Sequence, residues 1–205
     1  MKTQVIKTDN DNPDKKVIAE AAKIIKKGGL VAFPTETVYG LAADYLNKRA
    51  MARLYKVKNR PADKPFTVHI SDYDVIGALS CEVSIFEEYL IQRFWPGPLT
   101  LILRNEAGGK TGFRMPKNRL ALDLISACKT PIAAPSANIS GNSAPRTADQ
   151  ALKELDGKID MLLDCGETEL GIESTVVDAS SFPYRILREG AVDKAQIADV
   201  GRKLI

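Results

Sequence analysis

Gly28-Gly29-Leu30-Val31-Ala32-Phe33-Pro34-Thr35-Glu36-Thr37-Val38-Tyr39-Gly40-Leu41 is the stretch on which the fold turns. Leu30 to Phe33 form a short apolar run between a Gly pair and a Pro, the pattern of a buried strand. Pro34 stops the strand because it has no N–H for a ladder. Thr35 then fits a helix N-cap, with Glu36 in a first turn where the helix dipole favours negative charge. A strand running into a helix start leaves N–H groups and hydroxyls at the strand's carboxyl end. In open α/β sheets, that is where ligands sit.

The stretches on either side support the same class. Residues 14–27 place Val17, Ile18, Ala21, Ala22, Ile24 and Ile25 at helical spacing and end at the Gly pair, a C-terminal stop. Asn47 opens a second helix that must end before Pro61. Phe66 to Ile70 alternates, so Phe66, Val68 and Ile70 point inward while Thr67 and His69 share the other face. Ser84 and Glu87 have capping-box spacing for a helix to about Phe94. Strands are expected at 99–103, 112–116, 131–135, 159–164, 174–178 and 184–188. Helices are expected through 125, at about 147–155, and from Asp193 onward. Strands and helices interleave, but the late strands cluster. The expected fold is therefore α/β, a single domain over 1–205 (core about 13–200) with an open twisted mixed sheet flanked by helices.

Composition bounds the function. The chain has 205 residues, 44% of them hydrophobic, and a net charge of +3. That permits an anionic ligand or RNA without requiring either. No apolar run reaches the roughly 18 residues of a membrane span. Cys81, Cys128 and Cys165 are scattered and odd in number, which fits a reducing compartment and small buried hydrophobes rather than a disulfide frame. With one His, zinc ligation and a His-based triad are disfavoured. Gly109-Lys110-Thr111 lacks the earlier glycine of a phosphate-binding loop, since Arg104 stands there.

Four strand ends or loop starts nevertheless raise polar residues from an apolar background. They are Thr35, the Lys58-x-Arg60 pair, Ser136-x-Asn138, and Gly171-Ile172-Glu173-Ser174-Thr175. Lys58 and Arg60 lie at a frayed helix end, where two cations can converge on one anion. Small, hydroxyl and amide residues at 136–141 can approach a ligand closely.

Six segments, in order, are GGLVAFPTETVYGLAAD at 28–44, LYKVKNRPADKPFTVHI at 54–70, FWPGPLT at 94–100, APSANISG at 134–141, GIESTVVD at 171–178 and ILREGAV at 186–192. Together they resemble the YrdC-like threonylcarbamoyl-AMP synthase family. The resemblance implies a cytoplasmic nucleotidyltransferase with its active site in a concave basic cleft. Its reaction would form L-threonylcarbamoyladenylate and pyrophosphate from L-threonine, bicarbonate and ATP. Mg2+ would arrive on the triphosphate, and no protein metal site is implied. The product would go to threonylcarbamoyl-transferase proteins that modify tRNA. By the same resemblance Lys58, Arg60, Ser136 and Asn138 carry catalysis. Lys58, Arg114, Ser136, Asn138 and Arg188 hold ATP, while Thr35, Arg60, His69 and Ser174 hold threonine. Ser174 and Arg188 are expected at different ends of the cleft.

Two positions have two readings each. Glu36 either serves the threonine amine or is an ordinary acid in a helix's first turn. His69 either binds ligand or faces solvent from a strand. Asn118 stands where many relatives have His, so no contact is assigned to it. The chain ends at Ile205, as a single-domain member or as part of a longer one. Alternative functions are an RNA-binding module of the same fold, or a carbamoyl-adenylate-forming domain that uses carbamoyl phosphate.

Overall fold

The structure is a computed structural model that describes residues 2–202. Helix α1, Lys15–Lys26, is capped by Asp14, whose side chain accepts from Lys16 N, and it buries Ile18, Ala21, Ala22 and Ile25. Gly28, at φ +84°, then turns the chain into strand β2, Val31–Phe33. No helix follows Pro34. Residues 36–38 form a bend, and strand β3, Gly40–Asp44, returns antiparallel to β2 with Val31 opposite Ala42 and Phe33 opposite Gly40.

The expected strand–turn–helix is therefore a hairpin, and the cause is local. Thr35 Oγ1 does accept from two downstream N–H groups, of Thr37 and Val38, but these close a turn. Thr37, Val38 and Tyr39 are β-branched or aromatic and propagate a strand better than a helix. A Cβ on Gly40 would stand 3.2 Å from the Phe33 ring, so glycine lets the hairpin close against it.

Helix α2, Lys48–Lys58, begins at Asn47, whose side chain accepts from Arg49 N and Ala50 N. Strand β4, Val68–His69, is followed by a short helix α3, Asp74–Ala78, that the periodicity did not disclose. Helix α4, Ile85–Phe94, carries the reciprocal Ser84–Glu87 capping box. Strands β5 (Leu99–Arg104) and β6 (Lys110–Arg114) form a hairpin before helix α5, Arg119–Cys128. Strand β7 (Ile132–Ala133), helix α6 (Ala148–Leu155) and strand β8 (Met161–Asp164) follow. Strands β9 (Thr175–Asp178) and β10 (Arg185–Arg188) and helix α7 (Lys194–Arg202) complete the described chain. A further strand, β1 (Gln4–Lys7), pairs in parallel with β8 and carries the sheet back beyond the expected start of the core.

Among the described residues these strands form one mixed sheet in the order β1-β8-β2-β3-β7-β4-β6-β5-β9-β10. Neighbours are parallel at β1–β8, β2–β8, β4–β6 and β5–β9, and antiparallel elsewhere. The half around β2 and β8 is covered on both faces. Ile25, Leu120 and Leu124 of α1 and α5 pack on Val31, Phe33 and Met161. Leu54 and Leu155 of α2 and α6 pack on Ala32, Leu41 and Leu162.

The other half is covered on one face only. Leu90, Ile91 and Ile197 lie over Val68, Leu99, Leu101, Phe113 and Val177, where each fully buried aliphatic side chain contributes about 1.5–3 kcal/mol. Side chains alternate along a strand, so Thr67, His69, Thr100, Ile102, Arg114 and Val176 must point the opposite way. They line an open cleft.

Candidate functional site

That cleft encloses about 390 Å³, and every residue assigned from the sequence to catalysis, ATP or threonine lines it. Their contacts sort them into three groups.

The first group joins the Lys-x-Arg and Ser-x-Asn elements. Asn59 adopts the left-handed conformation, φ +48°, which ends α2 and turns Lys58 inward. Lys58 is not at a frayed, solvated end, because it is only 2% exposed. Its ammonium donates to Ser136 O at 2.5 Å, Asn138 O at 2.6 Å and Asn138 Oδ1 at 3.0 Å. Ser136 Oγ donates to the same Asn138 Oδ1 at 2.6 Å, and Asn138 Nδ2 donates to Asn142 O at 2.7 Å. Two backbone contacts brace the loop. Ser140 N donates to Lys58 O, and Ile139 N donates to the Glu154 carboxylate of α6.

Burial lowers the Lys58 pKa from 10.5 to about 8, and the nearby Arg60 adds to the shift, while Glu154 and Glu173 oppose it. Arg60 itself is held by bonds to Lys64 O and Pro65 O, with its guanidinium 5.0 Å from the centre of the Phe66 ring.

The second group surrounds the hairpin turn. Thr35 Oγ1 donates to Val38 O at 2.7 Å, which fixes the turn, and lies 2.8 Å from Thr37 Oγ1. Arg114 Nη2 donates to Thr37 Oγ1 at 2.8 Å and lies 2.9 Å from Glu36 Oε2. Glu36 is therefore no first-turn helix acid. It is 3% exposed and is the buried counter-ion of Arg114, although neither of its oxygens is aligned for a hydrogen bond. Arg114 is also tied to the Trp95–Pro98 turn, where its Nε donates to Gly97 O. His69 stands beside Arg114 in the β4–β6 register and is 4% exposed, so the solvent-facing reading fails. Burial pushes its pKa well below the usual value, with the Arg114 charge acting in the same direction. The imidazole is thus neutral at physiological pH, with Nδ1 unpartnered.

The third group binds β9 to β10. Arg188 Nη2 donates to Ser174 O at 2.9 Å and to Ser174 Oγ at 3.1 Å, while Nη1 meets Glu173 Oε1 at 2.6 Å. Ser174 Oγ also lies 2.9 Å from Thr100 Oγ1. Ser174 and Arg188 therefore touch and do not occupy different ends of the cleft. The reason is Gly190, where a Cβ would fall 2.2 Å from Glu173 O and 2.6 Å from Ser174 C. Only glycine lets 188–191 lie flat over 173–174. Ala191 N then donates to Glu173 O, and Gly190 N and Val192 N donate to Thr175 Oγ1.

Asn118 lies outside the cleft lining. Its side chain caps α5 by accepting from Ala121 N and donates to Asn10 Oδ1. Residue-type reading also missed supporting positions. Thr37 and Gly190 look like ordinary strand and loop residues until their neighbours are known. Among the described residues no group of three His, Cys, Asp or Glu side chains could hold a metal ion. No described helix is long and apolar enough to cross a membrane.

The Sua5/YciO/YrdC family model, whose description is telomere recombination, matches residues 23–190. The threonylcarbamoyl-AMP synthase of Pyrococcus abyssi is 44% identical over 88% of this chain and 56% of its own length. That of Bacillus subtilis is 42% identical over 94% and 59%. The chain thus spans a little over half the length of these curated relatives. A solved structure of P. abyssi Sua5 complexed with L-threonine superposes with a TM-score of 0.91 at 41% identity, covering 97% of this chain and 61% of that one. The match runs through all three contact groups of the cleft, and the chain belongs to the Sua5/YciO/YrdC family.

Proposed function

We propose that this chain forms a nucleotidyltransferase domain that makes L-threonylcarbamoyladenylate and pyrophosphate from L-threonine, bicarbonate and ATP. The observation that carries this reading is the convergence of elements far apart in sequence. Lys58 and Ser136, 78 residues apart, meet in one network on a cleft that also presents Arg60, His69, Arg114 and Arg188. The likeness to synthases, one of them solved with L-threonine, supports the same assignment.

In this reading Lys58, Arg60, Ser136 and Asn138 carry the reaction. Lys58, Arg114, Ser136, Asn138 and Arg188 serve ATP, and Thr35, Arg60, His69 and Ser174 serve threonine. The threonine amine captures bicarbonate, a carbamate forms, and water leaves. A carbamate oxygen then attacks the α-phosphorus as the P–O bond to pyrophosphate breaks. Negative charge concentrates on the phosphoryl oxygens, and four cationic side chains around one cleft are suited to stabilise it. Catalysis becomes positioning plus charge stabilisation, with no protein nucleophile required. His69 acts as a neutral hydrogen-bonding group, since burial keeps its charge off.

Mg2+ ordinarily takes one or two carboxylates besides phosphate oxygens. Glu36 and Glu173 are already paired with Arg114 and Arg188, so the ion would enter on the triphosphate and neutralise its charge. The product would pass in the cytoplasm to proteins that modify tRNA. The test is pyrophosphate release from ATP with threonine and bicarbonate added singly and together. Release only with both supports the synthase. Release with carbamoyl phosphate in place of threonine favours the carbamoyl-adenylate reading, and no release at all favours an RNA-binding module.

A further inference from the structure

The buried side-chain hydrogen-bonding groups of Lys58 and the loop at 136–142 can be accounted for one by one. All three ammonium protons of Lys58 are engaged. The Ser136 proton goes to Asn138 Oδ1, the Asn138 amide donates to Asn142 O, and Ile139 N donates to Glu154. Ser140 N donates to the Lys58 backbone carbonyl at 2.8 Å, which ties residue 140 to the end of α2. One buried side-chain group is left over. Ser140 Oγ is shut off from solvent and has no partner.

A buried hydroxyl in that state costs about 1–3 kcal/mol, and native structures seldom keep one without a use. Among the described residues, the other unpartnered buried side-chain atoms belong to Glu36, His69 and Thr168. Of the four residues, His69 and Ser140 line the cleft, and His69 already has an assigned part. The position beside Ser140 is roomy. Gly141, at φ +98°, has nothing within 4 Å of where its Cβ would stand. A hydroxyl without a partner, on a residue that lines the same cleft as Lys58, Arg60, Arg114 and Arg188, favours an anionic oxygen over a neutral one.

We infer that Ser140 Oγ is a further ligand-binding group of the cleft, turning about χ1 to donate its proton to an anionic phosphoryl oxygen. This rests on the nucleotide reading of the cleft. The test compares Ser140→Ala and Ser140→Thr with the wild type by calorimetric titration of ATP, inorganic pyrophosphate and threonine, and by thermal unfolding without ligand. Ser140→Ala should bind ATP or pyrophosphate roughly 10- to 100-fold more weakly, the loss expected for a hydrogen bond to a charged group. Threonine affinity should hold, and Ser140→Thr, which keeps the hydroxyl, should recover part of the loss. Ligand-free Ser140→Ala should melt no lower than wild type, because it gives up an unpaired atom and no bond. Wild-type ATP or pyrophosphate affinity in Ser140→Ala, or a lowered melting temperature, overturns the inference while leaving the synthase reading standing. If the wild type binds neither ATP nor pyrophosphate, both fall. If the contact is found but no adenylate forms, Ser140 stands and the synthase reading falls.

Discussion

Replacing Lys58 by Met keeps the reach of the side chain and removes its charge. Burial holds the ammonium at a pKa of about 8, against 10.5 when exposed. The unfolded chain therefore binds this proton more tightly than the folded one. The cost of the buried charge is fully present below about pH 8 and disappears as pH rises toward the unfolded value, so stability increases across that window. A gap of this size corresponds to roughly 3 kcal/mol at neutral pH. Met relieves that cost but leaves Ser136 O and Asn138 O without their donor, at about 1–3 kcal/mol each. Asn138 Oδ1 keeps its bond from Ser136.

The two effects nearly cancel. At about 2–4 °C per kcal/mol for a chain of this size, the melting temperature should move by less than about 10 °C. Catalysis has no such compensation. Loss of a buried cation facing the reacting anions should cost about 2–5 kcal/mol, or roughly 30-fold to several thousand-fold in pyrophosphate release. Wild-type activity should also fall above about pH 8 as Lys58 loses its proton, and that fall should be missing from Lys58→Met. A folded variant with near-normal turnover would remove the Lys58 charge from the mechanism. A variant that unfolds at assay temperature would mean the balance between burial and orphaned carbonyls is wrong.

Gly190→Ala puts a methyl group against the backbone of Glu173 and Ser174, so it should cost about 1–3 kcal/mol of stability and weaken ATP binding by unseating Arg188. An unchanged melting curve and ATP affinity would refute the close approach. Glu36→Gln strands the Arg114 charge and should cost about 3–5 kcal/mol in denaturant unfolding, whereas Glu36→Gln with Arg114→Met should recover much of it. A double variant no more stable than the single one would show that the pair is not coupled. For substrate choice, Val38 lines the cleft and is the candidate contact for the threonine methyl, so serine should lose about 10- to 200-fold in turnover efficiency. Valine leaves a buried polar partner unpaired and should be rejected more strongly. Valine outperforming serine would misplace the pocket.

Which face of β4 meets ligand was readable from alternation: Val68 and Ile70 pack in the core, and Thr67 and His69 line the cleft. The structure repeats this period at β5, where Leu99, Leu101 and Leu103 pack in the core while Thr100 and Ile102 line the cleft. Caps with a specific chemistry were equally legible, as at Asn47 and at Ser84 with Glu87. The turn after Pro34 was not, because Thr35 offers the same hydroxyl to a helix start and to a hairpin turn. The β-branched and aromatic run Thr37-Val38-Tyr39 was the available signal for a strand. Strand β1 was hidden because its Val5-Ile6 core is too short to show a period and depends on distant β8. At the site, the residue types pointed to ligand chemistry, but partnerships between remote positions had no local signature. The burial of Lys58, the Glu36–Arg114 pair and the contact of Arg188 with Ser174 all arise from sheet order.

The central claim is that carbon from bicarbonate is joined to threonine and then to adenylate in this cleft. Incubating the protein with ATP, threonine and 13C-labelled bicarbonate, and weighing the adenylate by mass spectrometry, tests it most directly. A threonylcarbamoyladenylate heavier by one mass unit than that formed from unlabelled bicarbonate, and absent without threonine, is the predicted result. Unlabelled product, or an adenylate formed equally well without threonine, would contradict the account.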